Sequence, residues 1–133
     1  MKNVYLAQVP FCVQENMPVY FPYSAGLLWS YAQQFKEINQ YYQLKDIIFL
    51  REDPDEVVAK LENPDVFGLS CYVWNMRYNA VIAQKVKSKF PQCKIIVGDP
   101  HVSANDVDLF KKHSYYDIAV FSEGELLFKE VLE

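Results

Sequence analysis

Three short runs hold most of the residues that could do chemistry in this chain: Ser70-Cys71-Tyr72, Gly98-Asp99-Pro100-His101 and Ser122-Glu123-Gly124-Glu125. Gly98 has no Cβ, so a ligand can approach the backbone closely there. Ser70 can hydrogen-bond a polar group, while Tyr72 offers an apolar ring with a polar tip. This is the chemistry of holding a ligand. No Ser/His/Asp arrangement and no paired-carboxylate set accompanies it, so nothing here reads as a catalytic constellation. Cys12, Cys71 and Cys93 lie far apart, with no Cys-x-x-Cys and no nearby histidine pair, and read as free thiols rather than a zinc or redox site. His101 reads as a loop or helix-start histidine in preference to a metal ligand. Ser122-x-x-Glu125 also has the spacing of a helix capping box, which explains both residues without any ligand.

Those runs need elements to position them, and the chain supplies an alternation of strands and helices. Residues 3–9 form an apolar run stopped by Pro10, and 11–22 is read as a long irregular loop because Pro10, Pro18 and Pro22 punctuate it. Leu27, Leu28, Tyr31, Phe35 and Ile38 then recur at helical spacing, predicting one helix over 23–39. A second strand is expected over 46–50, followed by a helix that Asp53-Pro54-Asp55-Glu56 starts. Residues 65–71 read as a central strand, and Asn75 as the cap of a helix over 76–90 whose Lys85, Lys87 and Lys89 face water. A fourth strand over 93–98 stops at Gly98, and Ser103 can cap a helix reaching about Lys112. A strand over 117–121 and a helix carrying Leu127, Phe128, Val131 and Leu132 complete five units.

Such alternation predicts a three-layer α/β fold, a doubly wound five-stranded parallel sheet in the flavodoxin-like or Rossmann-like order 2-1-3-4-5. The 133 residues suffice for a single domain, 1–133. The loops after strands one, three, four and five then share the carboxyl edge of the sheet, where open α/β sheets bind ligands. The aromatics Tyr20, Phe21, Tyr23, Tyr72 and Trp74 gather at that edge and suit a large, partly apolar ligand or partner.

Composition removes several function classes. Net charge is −4 and no Lys/Arg cluster stands out, so nucleic acid is disfavoured as a partner. No apolar stretch approaches membrane-spanning length and the start does not read as a signal peptide, so cytosol is the expected compartment. The four glycines form neither Gly-x-Gly-x-x-Gly nor a Walker loop. Strand three does not end in the acidic residue a phosphoacceptor needs, and the loop after strand one lacks the Ser/Thr-rich phosphate-binding chemistry of a flavodoxin.

Taken as a set, the runs resemble the cobalamin-binding domain found at the N-terminus of many radical S-adenosylmethionine enzymes. The resemblance spans essentially the whole chain and rests on Phe21-Pro22-Tyr23-Ser24-Ala25-Gly26-Leu27-Leu28, Asp65-Val66-Phe67-Gly68-Leu69-Ser70 with Tyr72 and Asn75, Ile96-Val97-Gly98-Asp99-Pro100-His101, and Asp117 with Ser122-Glu123-Gly124-Glu125. It implies a cobalamin cleft with the nucleotide tail running beside strands three and four. The implied cofactor-binding residues are Ser70, Cys71, Tyr72, Gly98, Asp99, Pro100, His101, Ser122, Glu123 and Gly124. The loop after strand one has no histidine, so it supplies no ligand to the lower face of cobalt.

Two departures go with the likeness. Asp99 stands where the family usually has a second glycine, and Ser122 replaces the first glycine of Gly-Glu-Gly-Glu. The three cysteines cannot form the family's Cys-x-x-x-Cys-x-x-Cys motif, so an iron-sulfur cluster and S-adenosylmethionine enter only with a catalytic domain in the same or another chain. The resemblance thus implies a module that positions cobalamin for a reaction such as methyl transfer. The alternative is a degenerate domain of the same fold that has lost the cofactor and acts as an interaction or structural part.

Overall fold

The computed structural model describes residues 1–10, 12–14, 17–18, 21–98, 105, 108–121 and 124–133. In chain order the elements are β1 (Lys2–Ala7), β2 (Cys12–Gln14), β3 (Met17–Pro18), α1 (Tyr23–Ala32), α2 (Lys36–Tyr41), β4 (Tyr42–Ile48), α3 (Pro54–Ala59), β5 (Pro64–Ser70), α4 (Met76–Lys89), β6 (Lys94–Gly98), α5 (Leu109–Lys112), β7 (Ile118–Ala119) and α6 (Gly124–Leu132). Five strands form one parallel sheet ordered β4-β1-β5-β6-β7, which is the expected 2-1-3-4-5.

Side-chain alternation along the strands divides the core into two layers. Tyr5, Ala7, Phe67, Leu69, Ile95 and Val97 face one side, under α3, α4 and α5. Val4, Leu6, Val66 and Ile96 face the other, under α1, α2 and α6. Strand ends are level at the carboxyl edge, since Ala7 pairs with Leu69, Ser70 with Gly98 and Val97 with Ala119. Their following loops therefore leave the sheet on one rim. At the β4 border the register skips Lys45 between Leu44 and Asp46, a bulge carrying a lysine. That is a common way to keep a sheet edge from pairing with another chain.

Several expectations are corrected. The run 11–22 contains a two-stranded antiparallel ribbon, β2 with β3. Pro18 is tolerated there because every strand of a two-stranded ribbon has an unpaired side. The single helix expected over 23–39 is two helices, and the second strand begins at Tyr42 rather than Asp46. No glycine or proline marks that break. Phe35 instead takes an extended conformation, φ −89° and ψ 125°, and its ring packs into the α1/α6 layer with the Lys129 ammonium 4.6 Å from its centroid. Leu27 is exposed, and α1 buries Ala25 and Ala32 with Leu28 and Trp29 partly covered. A helix apolar on nearly every side gives periodicity little to discriminate.

Lys87 does not simply face water. Its ammonium donates to the Cys93 carbonyl and to Asp117 Oδ2, both at 2.7 Å, and the same carboxylate oxygen accepts from Ile95 N at 2.8 Å. This ties α4 to the entries of β6 and β7. The final strand pairs only over Ile118–Ala119. Of the helix expected from Ser103, the described part is Leu109–Lys112, and Ser103 itself lies outside the described residues. Among the described residues no helix is long and apolar enough to cross a membrane.

Candidate functional site

On the α1/α6 side, the sheet surface is lowered near its carboxyl edge. Gly68 on β5 and Gly98 on β6 share the face of Val66 and Ile96 but contribute no side chain there. The result is a slot with an empty volume of about 470 Å³, mouth included. Its floor is Gly68, Ser70, Ile96 and Gly98, and its walls are Ala25 and Leu28 from α1 with Gly124 and Phe128 from α6. Apart from Ser70 the lining is apolar. The slot is therefore suited to a flat apolar group that carries a polar attachment.

The two floor glycines differ in what they permit. A Cβ on Gly68 would come within 2.7 Å of Leu6 Cδ2, so a side chain there requires Leu6 to move. A Cβ on Gly98 would meet Val120 at an ordinary 3.6 Å, so the protein itself has room for it and the loss would fall on the slot. At the wall, a Cβ on Gly124 would lie 3.2 Å from Leu28 Cδ2. Gln8, buried at the end of β1, accepts the Ala25 N–H on Oε1 at 2.9 Å and so fixes the start of α1 over the slot.

Beside the slot, residues 71–75 turn from β5 into α4. Asn75 is fully buried and stands at the N-cap position of α4 as expected, with φ −122° and ψ 2°, but its side chain makes no cap bond. Its Nδ2 donates to the Val9 carbonyl at 3.1 Å and the Ser70 carbonyl at 2.9 Å, while Oδ1 accepts from Tyr72 N at 2.8 Å and Asn79 Nδ2 at 3.2 Å. Asn79 Nδ2 also donates to the Ser70 carbonyl, at 3.0 Å. One carboxamide thus joins the ends of β1 and β5 to the turn. Above it the Tyr72 and Trp74 rings stack, with centroids 4.7 Å apart and planes 3° from parallel. Phe21, which is exposed, stacks with Phe49 at 6.4 Å on the same rim.

The residues singled out in the sequence separate into groups. Ser70, Gly98 and Gly124 line the slot together. Cys71 is fully buried on the opposite face of the sheet, in the α3/α4 core, and only its backbone N–H reaches this edge, donating to the Gly98 carbonyl at 2.8 Å. Tyr72 lies in the turn, stacked on Trp74. Asp99, Pro100, His101, Ser122 and Glu123 lie outside the described residues, as does Tyr20. Sequence reasoning passed over Gln8, Ala25, Gly68 and Phe128 as site residues. Gly68 carried a usable signal, because a glycine inside a central strand marks a close approach.

Among the described residues no cluster of histidine, cysteine, aspartate or glutamate could hold a metal ion. Burial pushes the Cys93 thiol up to about 12, with the Lys87 ammonium opposing that shift, so Cys93 is an inert core thiol at neutral pH. The arrangement can bind and orient.

Comparison with known proteins gives the same direction. A family profile described as the B12 binding domain matches residues 30–132. The chain is 38% identical over 117 residues to a 2-(S-pantetheinyl)-carbapenam-3-carboxylate methyltransferase of Streptantibioticus cattleyicolor, covering 88% of this chain and 17% of that protein. It is also 38% identical over 113 residues to the cobalamin-dependent radical SAM methyltransferase TokK of Streptomyces tokunonensis, covering 85% of this chain and 17% of that protein. The chain therefore spans about 17% of the length of these curated relatives.

Proposed function

The chain belongs to the B12-binding domain family, and from that premise we propose that residues 1–133 are the single cobalamin-holding module of a radical S-adenosylmethionine methyltransferase. The observation that carries this reading is the slot floored by Gly68 and Gly98. Its apolar walls and single hydroxyl residue match the base and polar linkage of a cobalamin nucleotide tail, and a Cβ at Gly98 would take up the space such a tail needs.

Cobalamin, when bound, supplies a cobalt centre able to carry a methyl group. The chain's own part is binding and orientation. Gly98 would let the tail lie against the strand backbone, with Leu6 packed over Gly68, Ser70 would offer it a hydrogen bond, and Leu28 and Phe128 would keep water from its base. The stacked Tyr72–Trp74 pair would offer apolar ring surface to the corrin on the same rim. The loop positions Asp99, Pro100, His101, Ser122 and Glu123 complete the site in this reading, with Cys71 contributing its backbone. His113, the other histidine of the chain, precedes β7 and so lies toward the amino edge. The loop after β1 contains no histidine and so would offer none to the cobalt. The iron-sulfur cluster, S-adenosylmethionine and the methyl acceptor belong to a catalytic domain in the same or another chain, docked over the aromatic rim.

The test is retention of hydroxocobalamin by the purified chain. After desalting, visible absorbance should stay with the protein at close to one equivalent. A colourless protein fraction would remove the cofactor reading and leave the degenerate, partner-binding module.

A further inference from the structure

Residues 71–75 form a turn closed by the Asn75 N–H donating to the Tyr72 carbonyl at 3.1 Å, and they carry the stacked Tyr72–Trp74 pair. Keeping two rings in register in so short a turn calls for further bonds that hold its backbone. Asn75 fixes the near end, through Tyr72 N. The far end is fixed from another segment: Arg51 Nη2 donates to the Trp74 carbonyl at 2.8 Å.

Arg51 is itself braced. Its guanidinium lies 5.1 Å from the Tyr78 ring centroid, and the Tyr78 hydroxyl donates to the Glu52 carbonyl at 2.7 Å. Glu52 in turn accepts the Lys60 ammonium at 2.7 Å, from the end of α3. A guanidinium held over a ring has few rotamers left to lose, so its hydrogen bond orients the carbonyl at little entropic cost. Arg51 is absent from the slot lining and only partly exposed.

We infer that Arg51 is a positioning residue, which with Asn75 holds the 71–75 turn as a preformed aromatic platform for the ligand bound at this rim. The inference rests on the cobalamin reading for the identity of that ligand, while the ordering of the platform is a property of the chain alone.

Arg51→Met tests it with two independent readouts. The chain has two tryptophans, Trp29 on α1 and Trp74 on the turn, so indole N–H resonances provide a probe and an internal reference. In the variant the Trp74 indole signal should shift and broaden while that of Trp29 stays in place, with Tm within a few degrees of the parent. Hydroxocobalamin affinity should fall about tenfold, the scale of one lost charge-assisted hydrogen bond. Arg51→Lys should recover part of both effects, since an ammonium can reach one carbonyl but does not stack as a guanidinium does.

An unchanged Trp74 signal overturns the inference whatever the affinity does, because a fall in affinity would then reflect direct contact and not positioning. Unchanged affinity beside a disturbed Trp74 signal overturns the platform's role in binding. If the parent chain retains no cobalamin, it is the proposed function that fails, and the indole signal alone decides whether Arg51 orders the turn.

Discussion

At the scale of single residues, the glycines show how much depends on where a missing side chain sits. Gly26 lies inside α1 with nothing within 4 Å of its Cβ position, so it serves no close approach that the structure reveals. Gly26→Ala should stabilise the chain by about 0.5–1 kcal/mol through helix propensity, read by urea unfolding, and leave cobalamin retention unchanged. Gly98 is the opposite case. Its Cβ position is open toward Val120 at 3.6 Å but faces the slot, so Gly98→Leu should stay folded and lose at least tenfold in hydroxocobalamin affinity. Equal affinities for Gly98→Leu and the parent would show that the slot does not receive the tail. Both glycines are visible in the sequence. What distinguishes them is the neighbour each lacks, which only packing reveals.

At the scale of elements, the junction of β1, β5 and α4 relies on one buried carboxamide. Asn75 was expected to cap α4, because an asparagine ahead of an amphipathic helix is a common cap. Its side chain turns inward because the Ser70 carbonyl at the end of β5 and the Val9 carbonyl just past β1 lie in the interior and need donors. Asn75→Ala would remove these bonds and the acceptor for Tyr72 N, costing about 2–4 kcal/mol in urea unfolding. A cost below about 1 kcal/mol would mean that water replaces the carboxamide. The break between α1 and α2 is a similar case. The apolar residues of 23–39 are compatible with one helix, and the tertiary demand that Phe35 enter the α1/α6 layer divides it.

At the scale of the whole molecule, several protons are held more tightly folded than unfolded. Burial raises Cys93 and Tyr78 to about 12 from ordinary values of 9.0 and 10.0, and raises Tyr116 further in the same direction. These groups are neutral in the native state at pH values where the unfolded chain has already released their protons. Their contribution is complete below about pH 9 and is lost as pH rises toward 12. Stability measured in urea should thus fall between pH 9 and 11, and Cys93→Ala should flatten part of that fall. A slope unaffected by the substitution would place the titration elsewhere.

What the sequence determined by itself is the architecture: strand and helix periods, Pro54 and Gly98 as punctuation, and five β-α units that lead to a parallel sheet in the order 2-1-3-4-5. Periodicity is local, and a doubly wound sheet is one of few ways to cover every apolar face it creates. The set of rim motifs also carried the resemblance to the cobalamin-binding family, since their order and spacing survive along the chain. Tertiary structure alone decided that Gly68, Gly98, Ala25 and Phe128 enclose one slot, that Cys71 points to the other core, and that Arg51 reaches the Trp74 carbonyl. A cavity and a hydrogen bond between distant segments are set by the relative placement of layers, which no single stretch of chain encodes.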